Sequence, residues 1–238
     1  MFLFSIFCLS LITLLLITSH HQLISSLIKA IVNGYNVQPF SCNGENTKIG
    51  IFGDSTGVGV GSSCPQMSLA GMLSRHYPNS TILNYCAIGS TIKKTIKVLR
   101  RYREFDLMIL CCIGIDLLCF KKTKDIKKDI KKMFLLASRR AKNILYITPV
   151  NLGLSPIFPW YYKKYFFKKC FNLGLFIEKE SKKYKNIIVQ NNLLVKNASM
   201  VPDFNKISSY DKIHPNDLGY LWAYKKVLTK LPTLACSK

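Results

Sequence analysis

Two short blocks of this 238-residue chain hold residues that could do chemistry together. The first, Gly53-Asp54-Ser55-Thr56-Gly57-Val58-Gly59, follows directly on the apolar run Ile49-Gly50-Ile51-Phe52. A serine at the turn out of a buried strand presents its hydroxyl, and the flanking glycines supply the positive φ and close backbone approach such a turn needs. The second, Asp211-Lys212-Ile213-His214-Pro215, sets a carboxylate three residues before an imidazole. Asp211 can then hold one ring nitrogen of His214 while the other nitrogen faces a hydroxyl. A serine nucleophile needs both partners, a base to take its proton and an orienter to fix the base's tautomer. Alone, each block has an ordinary explanation: Gly-Asp-Ser is a common turn, and Asp-x-x-His can cap a helix. Of the four histidines, His20 and His21 border the N-terminal apolar segment and His76 falls on a helical stretch as a surface residue. His214 is left as the histidine in a catalytic setting.

Other chemistries find little support. The Gly-rich stretch lacks the G-x-x-x-x-G-K-[ST] spacing of a phosphate loop. The nine cysteines show no paired C-x-x-C metal spacing. Cys111 and Cys112 lie in an apolar run and read as small buried hydrophobes, while Cys42 and Cys64 could pair in an oxidising compartment. No metal and no cofactor is expected.

The elements that must position the two blocks follow from periodicity. Strand-length apolar runs occupy Lys48–Phe52, Thr81–Tyr85, Leu107–Ile113, Ile144–Thr148 and Asn186–Gln190. Helical periodicity fills Gln66–His76, Thr91–Arg103, Lys124–Ala141 and Tyr162–Tyr184, with a last helix that Pro215 is placed to open. Strand–helix alternation with near-continuous apolar strands predicts right-handed crossovers and a parallel sheet covered on both faces. The expected fold is a three-layer α/β/α, flavodoxin-like domain with a five-stranded parallel sheet. Ligands of such sheets bind beyond the carboxyl ends of the strands. Gly53-Asp54-Ser55, Ala87-Ile88-Gly89 and Gly114-Ile115-Asp116 should therefore meet at one edge.

Taken together, the blocks resemble the SGNH/GDSL hydrolase family from Lys48 to about Leu228. Gly-Asp-Ser opens the domain, Gly89 and a Gly-x-Asn-like element at Gly114 follow in order, and Asp-x-x-His-Pro closes it. Pro149, Phe158-Pro159-Trp160 and Gly219-Tyr220-Leu221-Trp222-Ala223 resemble a bacterial branch that often carries an N-terminal hydrophobic leader. The resemblance implies an ester hydrolase with Ser55 as nucleophile, His214 as general base and acid, and Asp211 as orienting carboxylate. It implies an oxyanion hole built from the N–H groups of Ser55 and Gly89. The family's third donor is an asparagine amide two residues after the glycine of its third block. Here Asp116 stands in its place, or one residue is deleted and Asp116 matches the aspartate that follows that asparagine. Either way the amide is missing, and loss of one oxyanion donor costs about 10²–10³ in rate. On the ungapped alignment, Asp116→Asn is expected to raise turnover.

Residues Met1 to Thr18 carry no charged side chain, at the lower edge of what spans a bilayer. No basic residue precedes the run and no small-x-small cleavage site follows it, so an uncleaved anchor is expected over a removed signal. The chain divides into a hydrophobic leader (1–19), a connector (20–46) and a catalytic domain (47–238). Placement is expected at a membrane or outside the cell, the extracytoplasmic side following from the resemblance. With 34 Lys plus Arg against 12 Asp plus Glu, the net charge is +22. Lysines scattered over helices, with Asp125 and Asp129 alternating among them at helical spacing, read as solvated surface pairing. No nucleic-acid fold signature accompanies them, so no nucleic-acid partner is expected. The Trp160–Phe167 cluster, aromatic residues among lysines, suits a membrane interface. The expected partners are a small-molecule, lipid or carbohydrate ester and a membrane. The alternative function is a membrane-anchored protein that keeps the fold and binds without turnover.

Overall fold

A computed structural model describes residues 37–231, together with Thr18, His21, 23–32 and Gly34. The leader expected over 1–19 lies, apart from Thr18, outside the described residues. Among the described residues no helix is long and apolar enough to cross a membrane.

Five strands form one sheet: β1 (Lys48–Gly53), β2 (Thr81–Asn84), β3 (Phe105–Cys111), β4 (Ala141–Ile147) and β5 (Ile187–Gln190). Every pairing is parallel, in the order β2-β1-β3-β4-β5. Residues 23–32 are helical, and after β1 the α-helices are α1 (Ser55–Val58), α2 (Leu69–His76), α3 (Ile92–Leu99), α4 (Gly114–Leu118), α5 (Thr123–Ser138), α6 (Trp160–Ser181), α7 (Phe204–Ile207) and α8 (Asp217–Leu228). The connector joins the sheet edge through a bridge between Cys42 and Ile82.

Period-2 alternation decides which layer each strand residue enters. On β1 and β3, Ile49, Ile51, Leu107 and Ile109 pack in the core that holds Leu73 of α2 and Tyr220 of α8. Phe52, Met108 and Leu110 face the opposite core, with Ile96 of α3, Phe134 of α5 and Leu173 of α6. Both faces are dry, which is why the strands read as unbroken apolar runs.

Several boundaries move from the sequence expectation for identifiable reasons. Pro65–Met67 is a 3-10 turn, and α2 starts at Leu69 because the Ser68 side chain accepts from Gly71 N–H. The last helix begins at Asp217, capped by Asn216, whose side chain accepts from Gly219 N–H. Pro215 precedes that cap, in a bridge with Ser208, and does not open the helix. Cys42 and Cys64 are both free thiols.

At the end of β1, Gly53 has φ 155°, and an added Cβ would sit 1.7 Å from the Cys111 carbonyl oxygen. That carbonyl already accepts from Asp54 N–H at 2.8 Å. Gly53→Ala is therefore expected to cost about 3 kcal/mol, since neither backbone can retreat without breaking this bond. The cost should appear as a lower urea midpoint together with loss of any chemistry at Ser55; an unchanged midpoint would contradict the close approach.

Candidate active site

The turn after β1 delivers Ser55 as the first residue of α1. Its Oγ lies 2.8 Å from His214 Nε2. His214 Nδ1 lies 2.8 Å from Asp211 Oδ2. Asp211 is fully buried, and its Oδ1 accepts the backbone N–H groups of Ile213 and His214 at 2.8 and 2.9 Å. A carboxylate gripped by its own loop in this way has one orientation left, with Oδ2 towards the imidazole. The loop is closed by the Ser208–Pro215 bridge and by Ser209 N–H donating to His214 O at 2.8 Å. Ser55 and the distant Asp211–His214 pair are thus brought into one hydrogen-bonded line.

Contacts that the sequence reading did not single out hold the serine turn against the histidine loop. Gly61, at φ 95°, has Pro215 O where a Cβ would be, at 2.3 Å, and His214 Cβ at 3.1 Å. Ser63 donates through N–H and Oγ to the two carboxylate oxygens of Asp217, at 2.8 and 2.6 Å. The buried Tyr220 hydroxyl lies 3.1 Å from Thr56 O and 2.9 Å from Val60 O, pinning α1 to α8. The glycine rhythm Gly57-Val58-Gly59-Val60-Gly61 was the available signal for Gly61. Nothing in the local sequence marks Tyr220 or Asp217 as partners of the first block.

Gly89 follows β2 at φ 67° with open space where a side chain would project. Its turn is drawn towards the serine by Ala87 N–H donating to Gly53 O at 3.1 Å and by Asn84 Nδ2 donating to Gly57 O at 2.9 Å. Neither Ser55 N–H nor Gly89 N–H donates to a protein acceptor among the described residues.

Asp116 is placed differently from the oxyanion position expected of it. The side chain is buried, with Oδ2 accepting Ile92 N–H at 2.8 Å at the start of α3 and Oδ1 paired with Lys121 Nζ at 2.6 Å. The same ammonium reaches Asp129 at 2.7 Å. Asp129 is thus a buried ion-pair partner and not the solvated surface residue its helical spacing suggested. Burial lowers the Lys121 pKa, but the bonds to Asp116 and Asp129 outweigh it and raise the pKa above the usual lysine value. The buried Lys169 donates to Lys121 O at 2.8 Å. Just before α4, Ile113 sits at φ 100°, a strained conformation for a β-branched residue at the site's edge.

Asp54 completes the electrostatics. Its carboxylate is buried at the centre of the site and accepts Thr56 N–H at 3.1 Å. Burial pushes its pKa up from 3.8 to about 6, against the lowering effects of the Thr56 N–H, His214 and the Gly114 N–H. Burial also raises the thiol pKa values of Cys86, Cys111 and Cys112, so these neighbours stay protonated and poorly nucleophilic. Beside His214 and Asp54 lies a cavity of about 160 Å³, lined largely by apolar side chains that include Leu118, Ile147, Ile157, Phe158 and Ile213. Among the described residues no cluster of His, Cys, Asp or Glu could hold a metal ion.

No protein-family model matches the sequence, and no curated protein matches it. Solved structures share the fold. A member of the lipolytic G-D-S-L family from Veillonella parvula is similar at 18% identity and TM-score 0.57, over 79% of this chain and 99% of that one. A lipase/acylhydrolase from Enterococcus faecalis is similar at 15% identity and TM-score 0.54, over 79% of this chain and 100% of that one. A family 3 carbohydrate esterase from Clostridium thermocellum is similar at 15% identity and TM-score 0.55, over 78% and 94%. The five-stranded parallel architecture is therefore the fold found in GDSL lipolytic proteins and esterases.

Two outcomes follow from these geometries. A carboxyl whose folded pKa (about 6) exceeds its unfolded value (3.8) keeps its proton in the native state after the unfolded chain has released it. Its contribution to stability falls as pH rises through that window, by about 3 kcal/mol in all. Asp54→Asn should gain on the parent as pH is raised from 4 to 7, measured by urea denaturation; a pH-independent difference would refute the assignment. Asp116→Asn, expected from the alignment to raise turnover, should instead loosen Lys121 and cost about 2 kcal/mol of stability. Its urea midpoint and its turnover, both compared with the parent, check this.

Proposed function

We propose that the protein is an ester hydrolase in which Ser55, His214 and Asp211 form the catalytic triad. The observation that carries this reading is the Ser55 Oγ to His214 Nε2 distance of 2.8 Å, with Asp211 2.8 Å behind the ring. Ser55 Oγ attacks the ester carbonyl carbon as its proton passes to His214 Nε2, and the carbonyl electron pair moves onto oxygen. Asp211 stabilises the imidazolium formed and keeps its Nε2 side towards the serine. When the pair returns, the bond to the alcohol breaks, and the leaving alkoxide takes the proton from His214. The acyl group now rests on Ser55. Water, deprotonated by His214, repeats the sequence and releases the acid.

The unengaged N–H groups of Ser55 and Gly89 suit an oxyanion forming between the ends of β1 and β2. With Asp116 committed to Ile92 and Lys121, two backbone donors do this work without a third amide, so turnover should be slow relative to a three-donor site. An isolated carboxylate would repel the oxyanion, and the ion pair with Lys121 offsets that charge. An apolar cavity beside His214 favours an ester with a hydrocarbon arm over a wholly polar one. The lipases and esterases that share the fold support the same reaction class.

A fluorophosphonate probe tests the central claim. The parent protein should be labelled at one site, Ser55→Ala should be unlabelled, and its thermal midpoint should stay close to the parent's. Failure of the folded parent to label would favour the alternative, a protein that keeps this fold for binding without turnover.

A further inference from the structure

The helical segment 23–32 is amphipathic in the unexpected sense. Apart from Leu23, its packed side is small or polar: Ser26 is buried, and Ser25, Ser26 and Lys29 line a groove shared with Pro156, Ile157 and Lys212. Leu23 packs on the Ile157–Phe158–Phe166 cluster, and the Tyr210 hydroxyl reaches Lys29 O at 3.5 Å. The outward side is apolar. Ile24, Leu27, Ile28 and Ile31 recur at i, i+3, i+4 and i+7 and are exposed, with Val32 beside them. Such a stripe normally faces a core. Three residues beyond Ile157, Trp160 begins α6 with 82% of its surface exposed, followed by the exposed Lys164 and Tyr165.

We propose that this face docks on an anionic lipid bilayer. Three observations point to lipid and away from another protein. Four polar residues before the segment, the sequence holds a run, Met1 to Thr18, with no charged side chain. The chain carries a net charge of +22, complementary to anionic headgroups. The exposed flank of α6 mixes a tryptophan, a tyrosine and lysines, the composition that settles at headgroup depth. Ile157 and Lys212, which meet the helical segment, also line the cavity beside His214. Docking would hold that cavity about 10 Å, one helix diameter, from the lipid surface, where an ester with a hydrocarbon arm is concentrated. Only this last consequence rests on the hydrolase reading.

The chain has two tryptophans, so Trp222→Phe leaves Trp160 as the reporter. The full-length protein is mixed with phosphatidylglycerol/phosphatidylcholine vesicles carrying brominated acyl chains, and tryptophan emission is read. Emission from Trp160 should shift to the blue and fall by at least half. The effect should be weaker on purely zwitterionic vesicles. It should be lost when Ile24, Ile28 and Ile31 are all changed to Asp in a protein whose circular dichroism is unchanged. Absence of quenching in the parent, or equal quenching in the triple variant, would overturn the proposal. So would a dimer in sedimentation that shields Trp160 without lipid and dissociates in the triple variant. The readout is fluorescence, so an inactive enzyme and a non-docking protein are told apart.

Discussion

The site depends on how closely two loops approach across the carboxyl edge of the sheet. Ser55 belongs to the turn after β1, and His214 to a loop that follows β5, three strands away in the sheet. A 2.8 Å hydrogen bond between them tolerates almost no error in the placement of either loop. The protein secures it by removing bulk and adding ties. Gly61 leaves room for the Pro215 carbonyl, while Tyr220 and Asp217 fasten the serine segment to α8, which begins just after the histidine. Because α8 is itself anchored in the core through Tyr220 and Val227, packing on one face of the sheet is converted into geometry at its edge.

The fold was legible because its signal is redundant. Buried parallel strands are apolar along their length, and five such runs separated by helical periodicity leave little choice of architecture. Boundaries were less legible, since they depend on caps such as Ser68 and Asn216 whose effect is local and competes with the periodic pattern. The residues of the serine–histidine–aspartate line were legible because their chemistry forces spacing: Asp211 must lie close in sequence to His214 to grip both backbone and ring. Long-range ties were not. Ser63 and Asp217 stand 154 residues apart, and no local pattern couples them.

Asp116 and Asp129 show the limit most clearly. Alignment placed Asp116 by its sequence neighbours, and helical spacing placed Asp129 on the surface, yet both are drawn inward by a third residue, Lys121. Removing any one of the three leaves a buried charge with too few partners, so their positions are interdependent. The arrangement also tethers α3 through Ile92 N–H, and α3 follows the turn carrying Gly89. In the proposed hydrolase, that tether would steady the backbone donor at Gly89 where a side-chain amide would have donated directly.

Asp54 sets a second constraint on the same edge. Its burial is unfavourable for a charge, yet its position is dictated by the turn, because the carboxylate caps α1 through Thr56 N–H while Ser55 takes its place beside His214. An apolar residue would relieve the desolvation but leave that N–H without its acceptor. The site therefore carries two buried carboxylates with different environments. Asp211 meets the imidazole directly and is satisfied by three donors. Asp54 influences His214 through space alone and sits with its pKa raised. This asymmetry fits the orienting role proposed for Asp211. It leaves Asp54 as the group that fixes the shape of the serine turn.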